Sequence, residues 1–549
     1  MAREQFLGVD FGTSTTLIAE SLPAGRPTVV PIGHAESWMP SAAAISGDAL
    51  VVGEDALTHN PSALITSVKR CITGGAVVAR SADGSVERDA DEVIGAVLRE
   101  IANRARADRL PITDKGVTRL GCPAMWDAGQ RERLLGLAER AGFNVGPSTL
   151  IDEPIAAGLN WIGQRTQQRE FFDEERVLVF DMGGGTLDVA VLDVTTGPLR
   201  DPEIYVLASD GLNEAGDVLD GTIVADLELA LRDQGIELEA LPDADLARAY
   251  LMRAAAEAKV DLSTYQETEV HVGYQAGNLP SLHYTREQLE DAMRPQLERA
   301  WSLILSTLRG SYLTRAEGAV TSALRQISEE SLTSNVHHVL LAGGMSRASA
   351  VEKFLSRKLP TARIHTFPGT NGAREAIVAG LAENTSYDQV NLHRPAFDFV
   401  LEFSAGDGDL TRVPLYRAHT KLYEWWQALS RDRLKYEWPD GATAVNRDSA
   451  RSLPSTGYGR LAVYAMDGTP VDLRHKVTNV PGLKVAFGHD GVRFDLSTEG
   501  HVNITDGRGT SQSFRVTRWP VLTGGFARLA LPVEEPDWQP MERRDWDVK

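Results

Sequence analysis

Residues 177–194 read VLVFDMGGGTLDVAVLDV: an apolar run, an aspartate, three glycines, a threonine and a second apolar run. Residues 6–20, FLGVDFGTSTTLIAE, repeat this order of residue types near the start of the chain. Alternating apolar residues on both sides of a glycine-containing turn are typical of two strands joined by a tight turn. The repetition therefore predicts two similar hairpins about 170 residues apart.

Both turns are suited to phosphate, because residues without a Cβ let backbone amides approach an anion closely. Asp10 and Asp181, each at a strand end, are placed to orient the water shell of a phosphate-bound Mg²⁺. A third glycine pair, in LLAGGMSR at 340–347, offers backbone surface for a nucleoside. Either hairpin alone could be a tight turn without a ligand, but the three together indicate a nucleotide site. Hydroxyl donors near the phosphates would come from Thr13, Ser14, Thr15 and Thr186.

The rest of the first 384 residues alternates strand and helix patterns, which predicts an α/β fold. The segment 151–163 reads as an acidic turn that leads into a helix, and the polar segment 311–335 as a further helix or an insertion. A small-residue helix is expected at 371–384, packed tightly on a neighbour. Other helices are predicted at 89–106, 221–235, 243–263 and 285–309, and one more is predicted to end near Gly142, a suitable C-cap.

After about residue 385 the pattern changes to short β runs separated by turn dipeptides. We expect a linker at 385–396, a small β-rich domain at 397–535 and a loose tail at 536–549. An aromatic cluster in this region either fills the core of the domain or forms a recognition surface for a protein. Its members are Tyr423, Trp425, Trp426, Tyr436 and Trp438.

Composition limits the possible partners. The net charge of −20 argues against nonspecific binding to nucleic acid or anionic lipid. No stretch has the 18 or so apolar residues of a membrane helix, and the N-terminus lacks a signal-peptide pattern. Cys71 and Cys122 lack metal-type spacing and are expected to be reduced thiols. These features predict a cytoplasmic protein that binds neither nucleic acid nor membrane.

The hairpins and the glycine pair together resemble the superfamily of actin, sugar kinases and heat-shock 70 (Hsp70) proteins. The resemblance implies a two-lobed, ribonuclease H-like ATPase domain with duplicated sheets. Within it the chain is most similar to the DnaK-like Hsp70 family, over residues 1–384. Seven segments carry this similarity in the family's order: GVDFGTSTT (8–16), SVKRCITG (67–74), CPAMWDAGQR (122–131), IDEPIAAGL (151–159), DMGGGTLDVAVLD (181–193), EAKVDLS (257–263) and LAGGMSR (341–347).

The resemblance implies Mg²⁺-dependent hydrolysis of ATP to ADP, with Lys69 on the transferred γ-phosphate. Asp10 and Asp181 would hold the hydrated Mg²⁺ through water. Glu153 and Asp188 are alternative candidates for orienting or deprotonating the attacking water. Thr13 and Thr186 would contact the terminal phosphates.

Further residues match the family's binding and relay positions. Pro123 and Arg131 resemble the pair that relays nucleotide state between domains. The nucleoside side departs from the family at Ala256, Val260 and Arg374, which replace a glutamate, an arginine and an aspartate. The implied nucleotide contacts are Gly12, Thr13, Ser14, Thr15, Gly183, Gly184, Gly185, Lys259, Ser263, Gly343, Gly344 and Arg347.

The function that the resemblance implies is a molecular chaperone-like ATPase that binds and hydrolyses ATP and cycles a protein-binding β domain. Two alternatives stay open: a nucleotide-sensing scaffold with little hydrolysis, and a small-molecule kinase of the same superfamily. The chain lacks the family's acidic, leucine-rich linker and its helical lid pattern. A protein or peptide client bound through the C-terminal domain is therefore a hypothesis, and coupling to J-domain or exchange partners is left open.

Overall fold

The chain is described by a computed structural model. It describes residues 6–21, 26–59, 63–73, 79–81, 85–114, 117–198, 200–272, 279–315, 327–369, 372–391, 393–404, 409–422, 435–438, 453–518 and 530–541. The helices are α1 (Arg70–Thr73), α2 (Ala90–Ala107), α3 (Ala128–Ala141), α4 (Glu153–Gln167), α5 (Gly216–Asp233), α6 (Ala244–Asp261), α7 (Arg286–Arg315), α8 (Glu329–Thr333), α9 (Ser349–Lys358) and α10 (Gly372–Ala382).

The strands up to residue 389 belong to two lobes. They are β1 (Phe6–Phe11), β2 (Thr15–Ser21), β3 (Thr28–Val30), β4 (Met39–Pro40), β5 (Ala43–Ser46), β6 (Ala49–Val52), β7 (Ala79–Arg80), β8 (Glu87–Arg88), β9 (Thr118–Cys122), β10 (Leu150–Asp152), β11 (Glu175–Met182), β12 (Leu187–Gly197), β13 (Arg200–Leu212), β14 (Glu267–Val270), β15 (Leu282–Thr285), β16 (His338–Ala342), β17 (Arg363–Thr366) and β18 (Asp388–Gln389).

The main sheets of the two lobes have the same topology. The first runs β10-β9-β1-β2-β3, with β4 beside β2, and the second runs β17-β16-β11-β12-β13-β18. In each, a central antiparallel hairpin (β1–β2 or β11–β12) is flanked by a parallel strand, β9 or β16. The predicted duplication of the α/β fold is confirmed.

The helices of the first lobe begin and end where the sequence indicates. Asp89 accepts a hydrogen bond from the Glu92 amide and caps α2, and Gly142 ends α3 in the left-handed region with φ 101°. Apolar residues of α2 and α3, among them Val97 and Leu134, pack on the first sheet in one buried core. This packing fixes the edge of the sheet from which the first turn projects.

Helices α4 and α10 join the lobes. Residues of α4 and α10 share a core with strands of the second sheet, while Val378 and Ala382 of α10 pack against Leu17 on the first sheet. The two helices approach very closely, because a Cβ added at Gly380 would lie 1.7 Å from the carbonyl oxygen of Ala156. The predicted tight packing of the small-residue helix is confirmed.

The C-terminal domain is β-rich, as predicted. Its strands are β19 (Asp398–Ser404), β20 (Leu410–Tyr416), β21 (Lys435–Glu437), β22 (Tyr458–Tyr464), β23 (Pro470–His475), β24 (Thr478–Val480), β25 (Leu483–Ala486), β26 (Arg493–Ser497), β27 (His501–Thr505), β28 (Ser511–Val516) and β29 (Ala530–Asp537). They pair in one sheet around one apolar core, and among these strands all pairs are antiparallel except β23–β29.

This domain also contains a set of hydrogen-bonded polar groups that we name the β-domain ion cluster. At its centre the carboxylate of Glu402 is fully buried. It accepts hydrogen bonds from two arginines and a tyrosine on neighbouring strands. The members are Glu402, Arg412, Arg460 and Tyr464.

Three predictions need correction. Ile151 and Asp152 are not in a turn: they continue β10, which pairs in parallel with β9. The tail is not loose at its start, because β29 continues to Asp537 and the Met541 amide donates to the carbonyl of Gly482 at 2.9 Å. Part of the predicted linker is a strand, β18, that extends the second sheet beside β13. These segments are ordered by partners far away in sequence.

Tyr436 and Trp438 of the aromatic cluster pack against the core of the β domain. The core interpretation is confirmed for these two residues. Tyr423, Trp425 and Trp426 lie outside the described residues, as do residues 316–326 of the predicted segment 311–335. The described parts of that segment contain the end of α7 and the whole of α8. Within the described part of the chain, every helix is too short or too polar to cross a membrane.

Candidate functional site

The two hairpin turns have the same backbone geometry. The amide of Gly12 donates to the carbonyl of Thr15 at 3.1 Å, and the amide of Gly183 donates to the carbonyl of Thr186 at 3.0 Å. Asp10 and Asp181 occupy equivalent places, two residues before these glycines. The structural counterpart of Thr186 is therefore Thr15, and Thr13 corresponds to a glycine in the second turn.

The turns face each other across the cleft. A Cβ added at Gly184 would lie 2.4 Å from Ser14 Oγ, and one added at Gly185 would lie 2.6 Å from Thr13 Oγ1. A side chain at either position of the second turn would therefore crowd the side chains of the first turn, so glycine lets the two turns approach closely. The contact places the amides and hydroxyls of both turns around one small space.

Four carboxylates and one lysine lie below the turns, and all five side chains are buried. Asp181 and Asp188 are paired across the β11–β12 ladder, so they lie side by side. Three of the acids each bury one oxygen that has no hydrogen-bond partner among the described residues. Buried oxygens of this kind indicate a place for a ligand or ion that the protein alone does not satisfy. The three acids are Asp10, Asp181 and Asp188, and the fourth carboxylate is Glu153.

Burial and crowding raise the pKa values of these acids. Burial first, and then the charge of Glu153, raise the pKa of Asp10 to about 7. The same causes raise the pKa of Asp188 to about 7, against hydrogen bonds from Thr186 and the Ala124 amide. Burial and neighbouring acids raise the pKa of Asp181 well above its usual range. The cluster therefore favours a bound cation.

Lys69 is the positively charged side chain of the cluster. Its ammonium group forms an ion pair with Glu153, at the first turn of α4, and lies 5.6 Å from the centre of the Trp126 ring. Burial lowers its pKa, but Glu153 and Asp10 raise it more, so the net shift is upward. Lys69 is therefore charged when it faces the turns.

The residues present fit a hydrated magnesium ion. Among the described residues no three side chains of His, Cys, Asp or Glu converge closely enough to ligate an ion directly. Mg²⁺ usually keeps several waters and needs only one or two carboxylates. The buried oxygens of Asp10 and Asp181 would provide these on opposite sides of the cleft.

The predicted nucleoside contacts lie beside the second turn. Lys259 Nζ donates to the carbonyl of Gly216 at 3.1 Å and pairs with Asp220 at 2.6 Å. Gly343, with φ 79°, has no room for a Cβ, which would lie 2.5 Å from Asp181 Oδ1. Gly344 is exposed beside it. The glycine pair thus borders the cluster of acids.

The remaining nucleoside residues are more exposed. Ser263 Oγ donates to the carbonyl of Val260 at 2.6 Å, and Val260 itself is exposed. Arg347 is exposed, and its charge, after burial, lowers the pKa of Arg374. Arg374 lies over the ring of Trp38 in the first lobe at 5.0 Å. Two positions that depart from the family's pattern therefore present an apolar side chain, Val260, and an arginine in addition to Arg347, which is Arg374.

The predicted relay pair is in contact. Arg131 is buried, forms an ion pair with Asp152 at 2.8 Å, and donates to the carbonyls of Pro123 at 3.5 Å and Trp126 at 2.9 Å. The Ala124 amide in the same loop donates to Asp188 Oδ1 at 2.8 Å. The loop after Pro123 thus contacts the carboxylate cluster directly.

Some residues of the site were not predicted from the sequence. Ser67 donates to Asp217 at 2.7 Å, and Arg70 pairs with the same carboxylate at 3.5 Å, so the segment before α1 is tied to α5 of the second lobe. The Asp217 amide also donates to the Gly184 carbonyl at 2.7 Å. The sequence offered one signal for these contacts, because Asp217 is an acid that directly follows Gly216 at the start of α5.

Two similar sheets, each with a phosphate-type turn facing the other, define the actin-like class of two-lobed nucleotide-binding proteins. A family model described as Hsp70 protein matches residues 73–363, which is more than half of the chain. The chain belongs to the Hsp70 family. The first turn and Lys69 lie before the matched range, so the assignment of the turn depends on the hairpin geometry and that of Lys69 on its ion pair with Glu153.

Curated relatives agree with this family. The chain is 30% identical over 360 residues to the chaperone protein DnaK of Thermotoga petrophila, covering 64% of this chain and 55% of the relative. It is 30% identical over 375 residues to the chaperone protein DnaK of Deinococcus proteolyticus, covering 64% and 54%. The chain thus spans about half the length of the curated relatives it matches.

Proposed function

We propose that the chain is an ATPase of the Hsp70 type, which binds ATP between the two lobes and hydrolyses it to ADP. The observation that carries this proposal is the meeting of two equivalent turns above a buried lysine and four buried carboxylates. Phosphoryl transfer to water depends mainly on positioning and charge neutralisation. Family membership supports this function over a small-molecule kinase.

In the proposed reaction the two turns bind the phosphates through their amides and through the hydroxyls of Thr13 and Thr186. Lys69 neutralises charge on the transferred phosphoryl group. Asp188 accepts the proton of the attacking water, because its Oδ2 has no partner among the described residues and its pKa of about 7 suits a base at neutral pH. Glu153 keeps Lys69 in place through their ion pair.

Asp10 and Asp181 would hold Mg²⁺ through water, and the ion would supply positive charge to the phosphate oxygens. The chain's own contribution is to present these two acids from equivalent positions of the two hairpins. Burial and neighbouring acids raise the pKa values of both, so a nearby cation would lower those values and favour the charged carboxylates.

The test is phosphate release by the purified chain with ATP and Mg²⁺. The wild type should hydrolyse ATP, and Asp10→Asn should be slower and require more Mg²⁺. Asp91→Asn is the matched control and should behave as the wild type, because this half-exposed acid on α2 pairs with Arg133 at 2.7 Å. ATP bound without phosphate release would favour the nucleotide-sensing scaffold, and transfer to a small molecule would favour the kinase.

We also propose that the β domain binds a protein or peptide client in a nucleotide-dependent way. The names of the relatives support a chaperone role, and the two buried free cysteines suit a reducing compartment such as the cytoplasm. A pull-down that compares the wild type with Asp188→Asn, expected to retain ATP, tests this role. Proteins enriched equally by both forms would contradict a nucleotide-dependent cycle.

A further inference from the structure

Arg394 lies in the segment between the second lobe and the β domain, and the residue is 3% exposed. A buried guanidinium group requires partners, because leaving its donors unsatisfied is unfavourable. Its partners here are backbone carbonyls on both sides of the domain junction. On the β-domain side, Nε and Nη2 donate to the carbonyl of His419 at 3.2 and 3.1 Å.

On the other side, Arg394 binds the loop that follows Pro123. Nη2 donates to the carbonyls of Met125 at 3.0 Å and Trp126 at 2.8 Å, and Nη1 donates to the carbonyl of Ala124. One side chain therefore binds three successive carbonyls of the first lobe. Such a contact fixes the path of a loop more tightly than a single hydrogen bond does.

The same loop touches the catalytic groups on its other face. The Ala124 amide donates to Asp188 Oδ1 at 2.8 Å, and the ring of Trp126 lies 5.6 Å from Lys69 Nζ. The carbonyl that Arg394 binds and the amide that binds Asp188 are on either side of the Ala124 Cα. Movement of the loop would therefore move the carboxylate.

The junction has a second feature that ties it to the β domain. His419 has a left-handed backbone with φ 60°, and its amide donates to the carbonyl of Pro395 at 2.7 Å. A non-glycine residue in this region is unfavourable unless its surroundings hold it there. The conformation that directs the His419 carbonyl to Arg394 therefore depends on the contacts of the docked β domain.

We infer that Arg394 is a positioning residue, which orients Asp188 through the loop 124–126 and so contributes to the rate of hydrolysis. The inference rests on the proposed ATPase function. It predicts that loss of the guanidinium group lowers kcat and leaves ATP binding intact, because the hydrogen bonds of Arg394 described above lie outside both hairpin turns.

The test compares Arg394→Ala with Arg417→Ala in the full chain. Arg417 joins the same two domains through a half-exposed ion pair with Glu132 at 2.8 Å, but this pair lies outside the loop 124–126. We expect kcat to fall about tenfold or more in Arg394→Ala, with KM for ATP within about twofold of the wild type. Arg417→Ala should retain the wild-type kcat. Equal kcat values in both variants would overturn the inference.

A purely structural role is separated by two further measurements. Arg394→Lys keeps the charge and can bind some of the carbonyls, so its kcat should lie between those of Arg394→Ala and the wild type. If Arg394→Ala does not fold, Arg394→Lys alone tests the inference, and a wild-type kcat in this variant would overturn it. Hydrogen exchange in a peptide covering 122–128 should be faster in Arg394→Ala than in Arg417→Ala. Absence of phosphate release by the wild type would refute the ATPase proposal, while unchanged exchange would refute the role of Arg394.

Discussion

Replacement of Lys69 by methionine tests the site most directly, because it removes the basic side chain that lies among the four buried carboxylates and keeps most of the volume. The lysine is 3% exposed and paired with Glu153. Loss of one preorganised donor to a transition state typically costs about 3–4 kcal/mol, or a factor of about 10² to 10³ in rate. We expect a fall of that size in hydrolysis, with ATP binding still measurable.

The same change has a stability consequence. Removing one partner of a buried ion pair costs about 3–5 kcal/mol, because a carboxylate is left without its counter-charge. Here proton uptake by the acids, two of which have pKa values of about 7, reduces that cost at acidic pH. The loss in the free energy of unfolding should therefore be smaller at about pH 6 than at about pH 8.

The assay is single-turnover hydrolysis, with nucleotide binding by calorimetry and urea unfolding of the nucleotide-free protein. Lys353→Met is the control: this lysine pairs with Glu290 at 3.0 Å, and its side chain is 62% exposed. A Lys69→Met protein that hydrolyses ATP at the wild-type rate and unfolds at the wild-type urea concentration would refute the reasoning.

Three other predictions concern stability. The pKa of Asp188 is raised from 3.8 to about 7, so the folded protein binds this proton more tightly than the unfolded chain does. The free energy of unfolding should therefore fall as pH rises from about 4 to about 7. Asp188→Asn should make this pH dependence less steep, by at most about 1.4 kcal/mol per pH unit as measured by urea unfolding. Gly380→Ala should lower the free energy of unfolding, measured with urea, by about 1–3 kcal/mol or more, because its Cβ would strike the Ala156 carbonyl. Gly221→Ala, at a helical position with open space around it, should not lower this free energy. Equal effects of the two changes would contradict the close packing of α4 and α10. In the β-domain ion cluster, Arg460→Ala, at a 12% exposed side chain, should cost about 3 kcal/mol, and Arg412→Ala, at 50%, about 1 kcal/mol or less, as measured by thermal unfolding.

Local sequence patterns predicted the parts of the fold that depend on near neighbours. Both hairpins, the capped helix at 90–107 and the left-handed Gly142 follow from alternation, capping residues and glycine placement. The sequence also identified Asp10 and Asp181 through their places before the turns, whereas Glu153 and Asp188 were identified through the resemblance to the family.

Features that depend on distant partners were not predictable in this way. Asp152 continues a strand because β9 lies beside it, and Arg394 is buried because a loop some 270 residues earlier supplies its carbonyls. The start of the predicted tail is ordered because β29 pairs with β28 and β23. No local periodicity records such contacts, since each requires the fold to be assembled first.

The backbone contact at Gly380 determines which lobe motions are available. Where α10 meets the Ala156 carbonyl, backbone lies against backbone, so no change of side-chain rotamer at this point could let the helices slide. The contact therefore acts as a hinge of fixed position. The lobes can rotate about it, so the mouth of the cleft can widen while its base stays closed. Entry and exit of a nucleotide would then occur by tilting of the lobes about this point rather than by their separation.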